Sequence, residues 1–385
     1  MNRREVKRAP VLRFKGFTND WEQHTLGDFG SVAMNKRIFK NQTTDKGDVP
    51  FFKISTFGKK ADSFISNNLF EKYKEKYPYP QKGDLLISAS GSIGRIVEYK
   101  GQKAYYQDSN IVWLNHNKEL LNIYLKAYYQ IIHWHGIEGS TIKRLYNKNI
   151  LATSIFVPDK KEQYELGKLI KKAEKIISLQ QRKLKLLKVM KKALSQYMFC
   201  QEMEFVPILR FNSFSDKWKY ERLKNLIVKE IKGKAKADMK GTKSTYIDTA
   251  LLNGGSITKV DSPTDTFHND IIILWDGSQA GKIYHGFTGA LGSTLKSYKP
   301  KYSGGFLYQY LKSKEPIIFL RYRTPNIPHV VKDFTEIFKI NVPSVKEQEK
   351  ISKTLNYLDQ SILVETKKIG SIKKIKKFLL QNMFI

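Results

Sequence analysis

The sequence has only one cysteine, Cys200, in 385 residues. A single thiol excludes a disulfide framework within the chain and any zinc site that depends on several cysteines. Long apolar runs are absent as well. Residues 271–275 are typical of the longest ones, whereas a membrane-spanning helix needs roughly 20 apolar residues. The basic first ten residues are not followed by the apolar segment of a secretory signal. Together these absences predict a cytoplasmic protein.

Carboxylates are scarce relative to cations. The chain has 36 Asp and Glu against 68 Lys and Arg, which gives a formal net charge of +32. A chain this basic repels itself when folded, and such a charge is typical of proteins that bind a polyanion. Nucleic acid is the first candidate and an anionic membrane surface the second. Disorder is excluded as the main state, since 41% of the residues are hydrophobic and 12% aromatic. The length predicts two or three domains.

Three motifs occur twice in the chain, in the same order. They are Leu-Arg-Phe…Trp at 12–21 and 209–218, Val-Pro-x-x-Lys-Glu-Gln at 157–163 and 342–348, and Gln-x-Met-Phe at 196–199 and 381–384. Between these motifs the halves match only loosely, as residues 84–96 and 270–283 do. Each half is therefore predicted to be a variable globular domain followed by a closely matched tail. Two such copies imply a pseudo-twofold molecule.

The two tails are predicted to be long helices. Residues 160–199 contain no proline, and the apolar residues of both tails recur at alternating spacings of three and four. Two amphipathic helices related by a pseudo-twofold axis should pack as an antiparallel coiled coil. Each apolar stripe is interrupted by a polar residue near its middle. We expect a contact between these residues, Gln180 and Glu365, to fix the register of the coil.

The fold class is predicted to be α+β, with two pseudo-twofold-related globular domains separated by an antiparallel coiled coil of two long helices. Short β-rich runs between Gly, Asn and Asp turns predict strands near 49–54, 84–89, 110–114, 271–275 and 338–342, and helices follow near 120–133 and 306–313. The predicted boundaries are 1–159 for the first domain, 160–199 for the first spacer helix, 200–343 for the second domain and 344–385 for the second helix.

Polar turns that follow a buried strand in each half are the candidate DNA-binding elements. Lys and Arg neutralise phosphates, while Ser, Asn, Gln, Arg and Asp read base edges. We predict DNA contacts from Ser90, Gly91, Ser92, Arg95, Lys143 and Arg144 in the first half, and from Trp275, Asp276, Ser278, Gln279 and Lys282 in the second. For any one of these segments the plain alternative is an ordinary polar turn.

Catalytic motifs are missing from the sequence. Residues 277–282 resemble a phosphate-binding loop, but one residue too few separates the glycines, and Ile283 stands where Ser or Thr would hold magnesium. The Asp-Phe-Gly triplet at 28–30 matches one kinase motif, without the others. Seven scattered histidines have no metal-ligand spacing with carboxylates or cysteine. The chain is therefore predicted to have no catalytic residues and no metal site.

The duplicated motifs resemble those of the specificity subunits of type I restriction–modification enzymes. The resemblance is carried by the three repeated motifs and by Asp-Leu-Leu-Ile-Ser-Ala-Ser-Gly-Ser-Ile-Gly at 84–94, and it covers nearly the whole chain. It implies two target recognition domains, each of which reads one half of a bipartite, asymmetric DNA site. It also implies that the paired helices hold these domains apart. In the second turn Trp275-Asp276 replace Ala-Ser, as expected if the two domains read different bases.

The resemblance further implies the partners of the chain. They are double-stranded DNA, two modification subunits that bind S-adenosylmethionine, and restriction subunits that translocate and cut DNA with ATP and Mg. This chain would then bind no cofactor and catalyse no reaction. Two other classes stay open. One is a basic coiled-coil protein that binds DNA without sequence preference, has an architectural role or binds a membrane surface. Salt would abolish such binding. The other is a self-sufficient nuclease or methyltransferase, for which no cofactor motif is found.

Overall fold

Two long helices divide the chain and are themselves divided between two compact units. The computed structural model describes residues 9–136, 144–201, 204–326 and 328–385. The first unit consists of the described residues up to 180 together with 368–385, and the second consists of those from 181 to 367. Each unit therefore contains one globular domain and part of each long helix.

The first unit contains nine strands among its described residues, in three small sheets. The strands are β1 (Glu22–Thr25), β2 (Gly30–Met34), β3 (Val49–Phe52), β4 (Ser63–Ile65), β5 (Leu85–Ser88), β6 (Ile96–Glu98), β7 (Tyr105–Tyr106), β8 (Ile111–His116) and β9 (Ser154–Val157). The four-stranded sheet has the order β2-β8-β5-β6, the three-stranded sheet β4-β3-β7, and β1 pairs with β9. The helices are α1 (Asn67–Lys76), α2 (Asn122–Tyr128), α3 (Asn147–Leu151) and the start of α4 (Lys160–Tyr197).

The second unit repeats this topology strand for strand. Its strands are β10 (Lys219–Arg222), β11 (Ile227–Lys232), β12 (Lys240–Ile247), β13 (Lys259–Val260), β14 (Ile271–Leu274), β15 (Ile283–His285), β16 (Ala290–Leu291), β17 (Leu295–Pro300) and β18 (Lys339–Val342). The sheets have the orders β11-β17-β14-β15 and β13-β12-β16, and β10 pairs with β18. The helices are α5 (Thr249–Leu252), α6 (Gly304–Ser313), α7 (Glu315–Arg321), α8 (Phe334–Ile337) and α9 (Val345–Asn382). The repeat therefore extends through the regions where the sequence of the two halves matches only loosely.

The α+β class with two repeated domains is confirmed. One of the two inner strands of each four-stranded sheet, β5 or β14, is buried along its whole length, as its continuous apolar sequence predicts. Each sheet packs against a helix, α2 in the first unit and α6 in the second, and the long helices add apolar residues to both cores. Several edge strands, such as β4, β7, β13 and β16, are two or three residues long, and their short apolar runs give no periodic signal.

Within each unit the two long helices run antiparallel. In the second unit Lys183 of α4 pairs with Glu365 of α9, and Lys191 pairs with Asp359, so the α9 number falls as the α4 number rises. In the first unit Lys376 pairs with Glu174 at 2.8 Å. Leu166 and Ile170 share a hydrophobic cluster there with Leu380 and Met383. Both segments thus combine an apolar seam with ion pairs at its border.

The duplicated motifs meet at the start of each long helix. In the first unit the guanidinium of Arg13 donates from Nε and Nη2 to both carboxylate oxygens of Glu162, at 2.7 and 2.8 Å. Arg210 and Glu347 make the same bidentate pair in the second unit, at 2.8 and 2.8 Å. Both carboxylates are buried, and the hydrogen bond to its carboxylate raises the pKa of each arginine. The repeated Leu-Arg-Phe and Lys-Glu-Gln motifs are therefore two sides of one structural contact.

Candidate nucleic-acid interface

The candidate interface lies where the inner strands β5 and β14 of the two four-stranded sheets each end in a polar turn. We call residues 88–95 the first turn and residues 274–282 the second turn. Three backbone hydrogen bonds fix the first turn: Ala89 N–H to Asn110 O, Leu145 N–H to Ala89 O, and Gly94 N–H to Ser88 O, all between 2.8 and 2.9 Å. An isolated antiparallel β-bridge between the backbones of Ser90 and Arg144 continues this pairing. The turn is thus attached on two sides, to β8 and to the segment that precedes α3.

The second turn has the same backbone attachments. The N–H of Trp275 donates to Thr294 O at 2.9 Å, that of Val330 to Trp275 O at 3.0 Å, and that of Gly281 to Leu274 O at 2.7 Å. An isolated β-bridge between the backbones of Asp276 and His329 occupies the place of the β-bridge between Ser90 and Arg144. Position 276 is therefore the structural equivalent of position 90, and position 329 the equivalent of position 144. Sequence alone pairs these positions only loosely.

Hydroxyl groups brace the first turn from inside. The hydroxyl of Ser88 donates to the carbonyl oxygen of Ser92 at 2.5 Å and accepts the N–H of Arg95 at 2.8 Å. The hydroxyl of Ser90 donates to Oδ1 of Asn110 at 2.6 Å, and only 7% of Ser90 is exposed. Gly91, with φ +65°, occupies the left-handed region at the exposed tip. These bonds hold the turn without using the exposed side chain of Ser92, whereas the exposed Arg95 donates from Nη1 to Phe57 O at 2.9 Å.

Two grooves flank the first turn, and both are lined by cations. A cavity of about 250 Å³ lies between the turn and residues 54–59, with Lys59 and Arg95 in its wall. Another of about 450 Å³ lies between the turn and residues 144–148, with Arg144, Tyr146 and Lys148. No carboxylate is among the described residues that line either groove. Both surfaces therefore suit the phosphates and acceptor edges of a nucleic acid.

Charged side chains surround the second turn. Asp276, with 46% of its side chain exposed, pairs with Lys232 at 2.5 Å. The ammonium of Lys296 lies 3.4 Å from the ring centre of the buried Trp275 and also pairs with Glu230. The strand register places Lys232 and Lys296 where the first unit has Met34 and Val112. The same frame thus carries apolar residues in one unit and a charged network in the other.

The structure brings most of the predicted site residues together in these two turns. Gly91, Ser92, Arg95 and Arg144 are exposed around the first turn, whereas Ser90 is buried and bound internally. Lys143 lies outside the described residues. In the second turn Ser278 and Gln279 are exposed, Asp276 and Lys282 are half-buried, and Trp275 is buried beneath Lys296. DNA contact by any of these residues stays a prediction.

Several residues of the interface escaped sequence reasoning. Lys59, Tyr146 and Lys148 line the grooves of the first unit, and Lys232 and Lys296 flank the second turn. Strand pairing brings Lys232 and Lys296 to the second turn, and the folding of the chain brings the other three to the first. No local periodicity in the sequence marks these five residues as neighbours of the turns.

The predicted contact between Gln180 and Glu365 stays a prediction. Within the second unit Glu365 is buried and its Oε1 accepts the ammonium of Lys183. Its Oε2, like the side-chain oxygen of Gln180, is buried with no hydrogen-bond partner among the described residues. The ion pair with Lys183 supplies a polar tie that the sequence pattern did not predict.

The described residues also bear on membrane insertion and metal binding. In the part of the chain that the structure describes, no helix combines the length and apolar character that crossing a membrane requires. The same residues include no group of three or more His, Cys, Asp or Glu side chains arranged to hold a metal ion.

Comparison with known families identifies the chain. A family model described as the type I restriction modification DNA specificity domain matches residues 18–189 and 215–374, which are most of both halves. The chain belongs to this family. The recognition made from the repeated motifs is therefore confirmed, and the family model matches once in each half, as the duplication predicts.

Individual relatives of this specificity-domain protein agree with the family. A putative type I restriction enzyme specificity subunit from Haemophilus influenzae is 55% identical over 150 residues, a match that spans 39% of this chain and 39% of that relative. A crystal structure of a type I restriction–modification S subunit from M. genitalium superposes with a TM-score of 0.68 at 16% identity, over 98% of this chain and 99% of that one.

A second solved structure supports the same fold. It concerns complex assembly and conformational transition of the type I R-M system, and it aligns with a TM-score of 0.53 at 14% identity over 96% of this chain and 98% of that one. At such identities the likeness concerns the fold alone. The fold of this specificity-domain protein is thus shared along nearly its whole length with subunits of type I systems.

Proposed function

We propose that this chain is the DNA-sequence-recognition subunit of a type I restriction–modification complex. In this proposal each globular domain reads one half of a bipartite, asymmetric site. The observation that carries it is that the two units share a backbone arrangement but present different side chains at equivalent positions. Two turns with equivalent backbone bonds present hydroxyls and arginines in one unit and an Asp–Lys pair in the other. Identical frames with different reading groups are what an asymmetric site requires.

Charge and surface chemistry support DNA as the ligand. The net charge of +32 supplies the sequence-independent attraction to phosphates, and the grooves beside the first turn are lined by cations. A purely architectural DNA binder is not favoured, because the family match covers both domains. We place the protein in the cytoplasm, where chromosomal DNA is available.

The long helices are proposed to set the spacing between the half-sites and to dock the modification subunits. Each helix has 38 residues, or about 57 Å. Apolar side chains stay exposed along both of them, including Leu179, Leu186 and Val189 on α4 and Val364 and Phe378 on α9. Exposed apolar residues in a row along a helix are typical of a surface that another chain covers.

The partner chemistry is also part of the proposal. Two modification subunits would carry S-adenosylmethionine, and restriction subunits would use ATP and Mg, while this chain binds no cofactor and catalyses no step. The relatives are named specificity subunits of restriction enzymes, and the solved type I system concerns complex assembly. These names support an accessory, non-catalytic role for the present chain.

The decisive test is a pull-down followed by methylation mapping. We expect a methyltransferase chain to co-purify with the full-length protein, and the host genome to be methylated at one bipartite, non-palindromic sequence. Replacing residues 200–343 by the corresponding domain of another family member should change one half-site and leave the other unchanged. Absence of a co-purifying methyltransferase, or a change in both half-sites, would contradict the proposal.

Spacing provides a second test. Inserting one heptad into each long helix adds about 10 Å, roughly three base pairs of DNA. We expect the methylated site to acquire a longer spacer between unchanged half-sites. A control with a seven-residue polar insertion in the exposed loop before β13, after Gly254, should keep the original spacer. Altered half-site bases in the lengthened protein would refute a pure spacer role for the helices.

A further inference from the structure

The equivalent bridges offer a direct comparison of the two reading surfaces. Ser90 faces Arg144 across one bridge, and Asp276 faces His329 across the other. Each bridge has a member on the turn and a member on the following segment. The backbone of both members is fixed by pairing, so a side chain there keeps a defined position toward a ligand.

In the first unit the turn member is used internally. The hydroxyl of Ser90 donates to Asn110 at 2.6 Å, and the residue is 7% exposed. The segment member, Arg144, is exposed and lines the groove beside Tyr146. A guanidinium has only donors, arranged in a planar fork that matches the O6 and N7 acceptors of guanine.

In the second unit the roles are reversed. The segment member, His329, has its Nδ1 at 3.0 Å from the hydroxyl of Thr324. The turn member, Asp276, has 46% of its side chain exposed. An ionised carboxylate only accepts hydrogen bonds, so it can receive an exocyclic amino group of cytosine or adenine, which are the donors in the major groove.

A carboxylate on a DNA-binding surface needs a compensating cation. Phosphates repel Asp276, and Lys232 neutralises that charge at 2.5 Å. The first unit has Met34 at the place of Lys232, where no carboxylate has to be balanced. The carboxylate and its lysine therefore occur together in one unit and are both absent from the other.

We propose that the bridge position sets base specificity in both domains, with the reading side chain on opposite members of the bridge. Arg144 takes the acceptor edge of a guanine in one half-site. Asp276, neutralised by Lys232, takes the amino group of a cytosine or adenine in the other. This inference rests on the proposed function and adds the class of base that each domain reads.

Selection of bound duplexes from double-stranded DNA of randomised sequence, with the full-length chain, tests the assignment. Asp276→Ala, which removes the acceptor, should reduce the preference at one position of one half-site about 5- to 150-fold, and Arg144→Gln should do so at one position of the other half-site. The lost base should be guanine for R144Q, and an amino-bearing base for D276A.

Matched controls separate reading from general electrostatics. Glu336→Gln removes the carboxylate of another exposed Lys–Glu pair, with Lys224, at the far end of the same sheet. Lys118→Gln removes an exposed cation beyond the far end of β8. Both controls should select the wild-type site. Lys232→Met should weaken binding to all sequences, with the slope of log K against log salt reduced by about 0.9, and leave the preferred bases unchanged.

The outcomes distinguish the inference from the proposed function. If the wild type selects a bipartite site and both D276A and R144Q select the same site, the assignment of readers is wrong and the proposed function stands. If K232M alters the preferred base, Lys232 rather than Asp276 is the reader. If the wild type enriches no bipartite sequence, the proposed function fails and the inference with it.

Discussion

The two units differ in the residue that allows the long helix to pack closely against a helix of the globular domain. In the first, Gly167 of the long helix lets α2 approach so closely that a Cβ there would lie 2.5 Å from the carbonyl oxygen of Ile123. In the second, the glycine is on the other partner: Gly305 of α6 packs against Ser352 of the long helix. A glycine thus allows close packing between the long helix and a helix of the domain in both units, but it lies on the long helix in one unit and on the other helix in the second.

A second pair of equivalent positions differs in its chemistry. At the edge of the four-stranded sheet the first unit has an ion pair between Glu98 and Lys126, at 2.8 Å. The second unit has His285 there, stacked on Tyr308 with ring centres 5.3 Å apart. Both arrangements join the edge strand to the helix that covers the sheet. A shared frame therefore tolerates different side chains wherever the two partners change together.

The Arg–Glu contact, by contrast, is the same in both units. The bidentate Arg–Glu pair joins the opening segment of each domain to the first turn of a long helix. The tryptophan beside the pair differs between the units: Trp21 donates to Glu162 at 3.1 Å, whereas Nε1 of Trp218 has no hydrogen-bond partner among the described residues. The contrast between kept and varied contacts can be tested by mutation.

The largest effect is expected from removing the kept carboxylate. Glu162→Ala should lower the free energy of unfolding of the first unit by about 3–5 kcal/mol, since it leaves the half-buried guanidinium of Arg13 without its carboxylate. Glu347→Ala should act on the second unit, with a cost about 1 kcal/mol smaller because no tryptophan N–H loses its partner. Hydrogen exchange resolved by peptide measures each unit separately.

The matched control for this prediction is Glu165→Ala on the same helix. Glu165 makes an exposed pair with Lys168 at 3.6 Å, so its removal should cost less than about 1 kcal/mol. Equal protection of both units in E162A, E347A and the wild type would mean that the duplicated motifs do not stabilise the helix starts.

This contact also marks the limit of what the sequence reveals. The repeats, the long helices and the α+β class follow from spacing and composition, because each depends on local periodicity. That Arg13 would face Glu162 does not, since 149 positions separate them and no local rule pairs them. Likewise the first turn is recognisable from its Ser and Gly content, but the burial of Ser90 depends on Asn110, which strand pairing supplies.

A moderate effect is expected where the glycine has changed sides. Gly167→Ala should destabilise the first unit by about 1–3 kcal/mol, because the new Cβ meets a backbone carbonyl that cannot move freely. Gly305→Ala should cost the second unit less, since the nearest obstacle is the rotatable hydroxyl of Ser352, 2.1 Å away. Adding Ser352→Gly should then recover the loss. Urea unfolding followed by hydrogen exchange measures both effects.

Gly370→Ala provides the control for helix propensity. This exposed glycine lies in α9, and an added Cβ would meet no atom of another described segment within 4 Å, so alanine there should stabilise by about 0.5–1 kcal/mol. If Gly167→Ala also stabilised the protein, the close approach of α2 to the long helix would be refuted.

The smallest effect concerns pH and the equivalent edge positions. Burial, with a lesser effect of the nearby His268, lowers the pKa of His285 from 6.5. The unfolded chain therefore takes up this proton first, and the second unit should lose stability as the pH falls below about 6.5.

The hydrogen bond from Lys126 lowers the pKa of Glu98 from 4.5, so the first unit should keep its ion pair until the pH falls below about 4.5. Between these values hydrogen exchange should become faster in the second unit alone. His285→Phe should remove this difference, whereas His24→Phe, at a partly exposed position of the first unit, should not. A loss of equal size in both units, or one that persists in H285F, would show that the edge positions do not set the pH response.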